Sequence, residues 1–163
     1  MTTVSSDTGS GAITAENPLP AVDKDFVQAA TTASSTQTDA GKTAHRNTSN
    51  ADVRSFARHM IADTMRLTVQ LKAVAPHGVQ VPKDNSDLGL LDSLKPLTGA
   101  DFDREYARKL GLEANRRAIA AYEKEAGDGE TPALRQAAQN ALPTLREHYP
   151  MGQKLAQRLG VSE

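Results

Sequence analysis

The sequence predicts an all-α protein built as a four-helix bundle, and three observations carry that prediction. Apolar residues recur at alternating spacings of three and four over long stretches, which is the signature of helices with one buried face. Between those stretches stand helix caps, prolines and glycines that stop and restart the pattern. Aromatic residues are scarce, with three Phe, three Tyr and no Trp, so Ala, Leu, Val, Ile and Met must fill the core, and such small side chains suit closely packed helices.

Residues 1–20 are rich in Ser, Thr and Gly, close with Pro18 and Pro20, and read as a flexible N-terminal arm ahead of one domain over residues 21–163. The first helical stripe runs from Val22 to about Asn47 through Phe26, Ala30, Ala33, Gln37, Ala40 and Ala44. The run TTASSTQT within it has poor helix propensity, so packing must hold this helix. Thr48, Ser49 and Asn50 supply a short connection and an N-cap, making the second helix, Ala51 to about Ala75, an antiparallel neighbour. APHGVQVPKDNS then breaks the pattern, and Ser86 or Asp87 can cap a short helix through Leu91 and Leu94. The connection from Pro76 to Leu97 is long enough to return along the bundle, which lets the third helix lie parallel to the second. Thr98 opens that third helix, predicted over Ala100 to about Ala126 with Phe102, Tyr106, Leu110, Ala114, Ile119 and Tyr122 inward. After the turn GDGE, Thr131 and Pro132 start a fourth helix that ends at Gly160. Pro143 and Pro150 each remove one hydrogen bond from it and bend it. Four helices with a long connection after the second make a ferritin-like topology the leading bundle type.

At 163 residues the chain can bury one substantial core. A net charge of -1 gives it no bulk attraction to nucleic acid or an anionic membrane. The absence of cysteine excludes disulfides, Cys-based zinc sites and thiol catalysis. No run approaches the roughly 18 apolar residues of a membrane span. The N-terminus has neither the charged start nor the apolar stretch of a signal peptide, so the chain reads as cytoplasmic or as a mature exported form. No G-x-S-x-G elbow, phosphate-binding glycine loop or H-E-x-x-H motif is present, and a non-enzymatic role is expected.

Two stripes are interrupted by polar residues. Val53, Ala57, Met60, Leu67, Leu71 and Val74 keep the helical spacing with Thr64 completing the series, and Leu134, Ala138, Ala141, Leu145, Gly152, Leu155 and Leu159 do so with His148. Buried polar groups need partners, and polar positions inside helical bundles are where ligand and metal sites are built. The simplest partner for Thr64 is the Met60 carbonyl in its own helix. For His148 it is a backbone carbonyl, with Pro143 and Pro150 freeing those of Gln139 and Arg146. Asp63 lies four residues from His59, the spacing of an exposed ion pair. Arg104, Arg108, Lys109, Arg116 and Arg117 on the third helix read as a solvated face, with Glu105 and Glu113 placed to pair with Lys109 and Arg117.

The phrases ADVRSFARHMIAD, LTGADFDREYARKL and NALPTLREHY closely resemble the bacterial domain of unknown function 4142, and the resemblance runs from about Asp25 to Leu159. It implies a ferritin-like, exported protein of the periplasm or outer membrane, with a cytoplasmic location as the alternative. The family pattern carries Glu where this chain has Gln37, Asp-His where it has Asp63 and Thr64, and His at Ala114 and at His148. Gln37 is a weak neutral ligand, Thr64 and Ala114 cannot replace imidazole, and no Glu-x-x-His occurs. The resemblance therefore implies a core whose metal chemistry is degenerate, with no metal or other cofactor expected.

The leading expectation is a non-enzymatic envelope protein with a binding or stress-related role. One rival is a metal-binding protein that assembles an atypical site from His148, Gln37, Asp63 and Glu113. Another is an interaction module of effector or immunity type with a protein partner, which would expose an apolar patch along Val79–Leu97 where Leu88, Leu90 and Leu91 concentrate.

Overall fold

The computed structural model describes residues 19–75, 79–81 and 84–162, and all regular structure among them is helical. Helix α1 spans Ala21–Asn47, α2 Ala51–Val74, and the short α3 Leu88–Leu94. The third long rod consists of α4 (Gly99–Tyr106), a π-helical segment (Ala107–Glu113) and α5 (Ala114–Asp128), and α6 spans Pro132–Arg158. No helix among the described residues is long and apolar enough to cross a membrane. Most of the arm, together with His77, lies outside the described residues.

Hydrogen bonds at the two ends of α1 establish the directions of the rods. Asn47 Nδ2 at its C-terminus donates to the carbonyls of Lys95 and Leu97, just before α4, at 3.2 and 2.9 Å. Asp23 at its N-terminus accepts from Glu130 N and Thr131 Oγ1, in the turn between α5 and α6, at 3.0 and 2.6 Å. The third rod is therefore antiparallel to α1. With only three residues between α1 and α2, the third rod lies parallel to α2, as the long connection predicts. Packing of α1 on α2, α2 on α6, α6 on α5 and α5 on α1 closes a four-sided arrangement.

Local chemistry explains how the weak stretch of α1 stays helical. Thr31, Thr36, Thr38 and Thr43 each donate their hydroxyl to the carbonyl four residues back. The same polar face receives the returning connection: Asn85 Nδ2 donates to Thr31 Oγ1, Ser86 Oγ to Asp39 Oδ2 and Asp87 N to Thr36 Oγ1. The expected caps also form, with Asn50 Oδ1 accepting from Asp52 N and Val53 N and Asp87 Oδ1 from Leu90 N. Helix α6 ends in a Schellman motif at Gly160, whose φ is 72°; Val161 N donates to Ala156 O and Gly160 N to Gln157 O.

Among the described residues, Leu88, Leu90 and Leu91 do not form the exposed patch expected along the connection, because α3 is amphipathic and turns inward. Leu91 is buried, Leu90 packs partly buried against the core, and Leu88 alone of the three is exposed. The prolines of α6 are exposed, and so are Gln139 and Arg146 four residues before them, so the carbonyls they free face solvent.

The core divides into two apolar clusters. One gathers Val53, Phe56, Met60, Phe102, Tyr106, Leu110 and Leu155, and the other Phe26, Leu67, Leu71, Tyr122, Leu134, Leu142 and Leu145. Near their boundary the π segment touches α6 backbone to backbone: a Cβ on Gly152 would lie 2.0 Å from Gly111 O. Replacement of Gly152 by Ala should therefore destabilise the fold by about 2 kcal/mol or more, since overpacking outweighs the gain in helix propensity. On α5, where a Cβ at Gly127 meets nothing within 4 Å, Gly127→Ala should stabilise by up to about 1 kcal/mol. Urea melts of the two variants check this opposition of sign.

At the α1 N-terminus, Asp23 meets the fully buried Glu125, whose oxygens have no donor among the described residues. Burial, then the hydrogen bond and charge of Asp23, push Glu125 up to about 8 against the pull of Arg135. Burial also raises Asp23, but hydrogen bonds from Glu125, Thr131 and the Glu130 amide outweigh it and hold Asp23 below its ordinary value. A raised folded value means that the native state keeps a proton the unfolded chain has lost. Stability should thus decline as pH rises from about 4.5 to about 8, and Glu125→Gln should remove that decline in thermal melts taken across the window.

Candidate functional site

A layer of polar side chains crosses the bundle between the two apolar clusters. Gln37 comes from α1, Thr64 from α2, Asn115 from α5 and His148 from α6, and all four are buried. The π segment serves this layer. Gln37 Nε2 donates to Leu110 O at 3.4 Å and Asn115 Nδ2 to Gly111 O at 2.9 Å, so side chains engage two of its carbonyls. Asn115 Nδ2 also reaches His148 O at 3.4 Å, tying the rod to α6. Thr64 Oγ1 donates to Met60 O at 2.7 Å, the bond its sequence position predicts.

His148 bonds differently from the expectation. Its Nε2 stands 2.8 Å from Asp63 Oδ2, and no backbone carbonyl takes its ring, because the carbonyls freed by Pro143 and Pro150 lie on the opposite, solvent side of α6. Asp63 Oδ2 is also 3.0 Å from His59 Nε2, and Asp63 Oδ1 is 3.0 Å from Arg66 Nη2. The expected His59–Asp63 pair is therefore present, but it is one edge of a triad that enters the protein. His59 is 49% exposed, Asp63 15% and His148 1%, which gives the triad a wet and a dry end. The two imidazoles meet edge to face with ring centroids 5.8 Å apart. Partial burial raises the Asp63 carboxyl, but the His148 hydrogen bond and the charges of His59, His148 and Arg66 outweigh it and hold the group below its ordinary value.

One donor atom from each of His59, Asp63 and His148 lies within 4.8 Å of the other two, so the three could hold a metal ion. The two N···O separations of 2.8 and 3.0 Å suit a hydrogen-bonded triad. They also match the edge of about 2.9 Å between adjacent ligands of an octahedral ion with bonds near 2.05 Å.

The other proposed positions separate from this triad. Gln37, Thr64, Ala114 and His148 line one small, partly open cavity of about 20 Å³, next to the triad's dry end. His148 Nδ1 and Gln37 Oε1 are buried and unpartnered there. The cavity lining excludes Glu113, which is half-buried at the end of the π segment and forms no ion pair with Arg117. Of His148, Gln37, Asp63 and Glu113, the structure brings His148 and Asp63 together and sets His59 beside them, while Gln37 and Glu113 stand apart from that cluster. The His59–Asp63 spacing was a signal for the third donor, but an exposed pair of this kind is common on helices and does not identify a ligand. Self-pairing on the third rod occurs where expected for Lys109, 3.6 Å from Glu105, and also joins Arg104 to Asp101 and Arg108 to Glu105.

Comparison with known proteins gives one match. The family model described as domain of unknown function (DUF4142) covers residues 8–155, most of the chain. The chain belongs to the DUF4142 family. No curated protein and no solved structure matches it. This DUF4142 protein therefore owes its site assignment to its own geometry. In it, Asp63→Ala should cost about 1–3 kcal/mol at neutral pH by leaving His148 Nε2 without its acceptor. The lowered carboxyl contributes stability above its unfolded value of 3.8 and loses it as pH falls through the folded value. The gap between wild type and variant should therefore narrow as pH falls below 3.8, as guanidinium melts at pH 7 and at successively lower pH would register.

Proposed function

We propose that the protein is a non-enzymatic envelope protein that binds a divalent transition-metal ion through His59 Nε2, Asp63 Oδ2 and His148 Nε2 on a ferritin-like scaffold. The observation carrying this reading is the convergence of those three donors within 4.8 Å. Two imidazoles and one carboxylate suit the borderline ions Zn, Cu, Ni, Fe and Mn, and three protein ligands leave positions for water. The exposed His59 borders an open surface groove with Phe56 and Met151, which supplies an entry path. Arg66 engages only Oδ1 of Asp63 and so keeps the carboxylate oriented with Oδ2 toward the imidazoles.

The scaffold reading rests on topology, with α2 parallel to the third rod across a long connection, and on the resemblance of the sequence phrases. The periplasmic location follows the same resemblance. A ferritin-type core would carry carboxylates and imidazole where this chain has Gln37, Thr64 and Ala114. In this protein His148 belongs to that buried layer, and the other two donors, Asp63 and His59, lead from it toward the outer side of α2.

A metal ion on Nε2 of His148 would leave the ring proton on Nδ1, at the cavity that Gln37 shares. That cavity has room for about one water, which can bridge Nδ1–H to Gln37 Oε1.

Titration of the purified chain with Zn, Ni or Co tests the proposal. At a concentration one hundred times Kd, one bound ion should add about 2.7 kcal/mol and raise the melting temperature by about 5–10 °C. His148→Ala and His59→Ala should abolish the rise, and His45→Ala should leave it intact. Absence of stoichiometric binding, or a rise that survives both substitutions, would reduce the site to a structural hydrogen-bonded triad.

A further inference from the structure

Basic residues on this protein follow two patterns. On the third rod they pair with acids one turn away. In the groove between the C-terminal half of α1 and the N-terminal half of α2, they face one another instead. Lys42, His45, Arg46, Arg54 and Arg58 line a pocket of about 360 Å³ there, and no carboxylate lines it. Lys42 and Arg46 are four residues apart on α1, as are Arg54 and Arg58 on α2, so two like-charged pairs meet across the groove. Lys42, Arg46 and Arg58 form no ion pair among the described residues. The nearby acids are engaged elsewhere, Asp39 with Ser86 and Asp52 with Arg158.

Helix-end electrostatics accounts for part of this cluster. His45 and Arg46 lie in the last turn of α1, where cations complement the dipole. Arg54 is fixed by donating to Thr48 O at 2.9 Å and His45 O at 3.2 Å. Arg58 and Lys42 gain from neither effect. Arg58 lies nearer the positive end of α2, is exposed, and forms no ion pair among the described residues. Between the cations the floor is apolar, made by Gly41, Ala57 and Ile61. A pinned guanidinium, two free ones and an ammonium around an apolar floor match a multiply charged phosphoryl group attached to a small apolar body. The volume falls within the roughly 300–1,000 Å³ of small-molecule sites.

We infer that this groove is a binding site for a phosphate monoester, with the phosphoryl group held by Lys42, Arg46 and Arg58 and its apolar substituent laid on Ala57 and Ile61. The site is independent of the metal triad and uses none of its side chains. Amide spectra of the full ¹⁵N-labelled chain, titrated at low salt with phenyl phosphate and separately with inorganic phosphate, test it. Phenyl phosphate should bind saturably, with shifts confined to residues 41–61, and more tightly than inorganic phosphate, which lacks the apolar body. Arg46→Glu/Arg58→Glu should weaken binding at least about tenfold while the melt is retained. The neutral pair Arg46→Gln/Arg58→Gln should act in the same direction. Phosphatidylcholine vesicles with and without phosphatidic acid separate the two sources of the monoester. Binding to phosphatidate vesicles that the same pairs abolish would assign the phosphate to a lipid headgroup, and binding of soluble phenyl phosphate alone would assign it to a free metabolite. No saturable binding to either probe, or binding that both paired variants leave unchanged, would overturn the inference.

Discussion

The hydrogen bond between His148 and Asp63 is the interaction on which the middle of this protein depends. A fully buried imidazole in a bundle of small apolar side chains needs an acceptor, and α2 supplies one from a carboxylate that is itself mostly covered. That demand sets the relative register of α2 and α6. It also requires close packing, which the contact between Gly111 and Gly152 permits. With α6 held at this depth, Asn115 can reach the His148 carbonyl and Gln37 the carbonyl of Leu110. The π segment is part of the same solution, because its carbonyls take side-chain donors that the apolar clusters on either side cannot accept.

Away from this layer, the ends of the bundle are tied by polar contacts of the same kind. Asp23 fastens the start of α1 to the turn before α6, beside Glu125, whose carboxyl burial and Asp23 push up. At the opposite end, Asn47 and Thr48 fasten the end of α1 to the start of the third rod, the Thr48 hydroxyl donating to Asp103. Helix α1 is thus a strut whose poor propensity is offset at both ends and along its Ser/Thr face. Each of these ties joins residues far apart in sequence, so each restrains the long connection that turns the chain back on itself.

Much of the architecture was legible because helix periodicity and caps are local signals. The boundaries of α1, α2 and α6, the short α3 and the stop at Gly160 follow from stripes, Asn50, Asp87 and Pro132, which act within one turn. The π segment left only a faint mark, since Phe102, Tyr106, Leu110, Ala114 and Ile119 are spaced by four or five residues with no step of three, and a short run of that kind still reads as an α-helical stripe. Interrupted stripes located Thr64 and His148 in the core, but they could not identify the partner of His148. That depended on which face of α2 points at α6, and Asp63 read as surface because its pairing with His59 is also an ordinary surface pattern. The Glu125–Asp23 contact was hidden for a related reason: two carboxylates far apart in sequence carry no mark that the fold will join them.

If the His59–Asp63–His148 triad is a metal site, the proton on His148 must change place when the ion binds. Long-range ¹H–¹⁵N correlation spectra of the histidine rings, taken with and without zinc, measure this directly. The predicted result is His148 protonated on Nε2 against Asp63 in the metal-free protein, and protonated on Nδ1 with Nε2 metallated once zinc is added, with His59 Nε2 shifting in parallel. An unchanged His148 tautomer at saturating zinc would contradict a metal function for the triad.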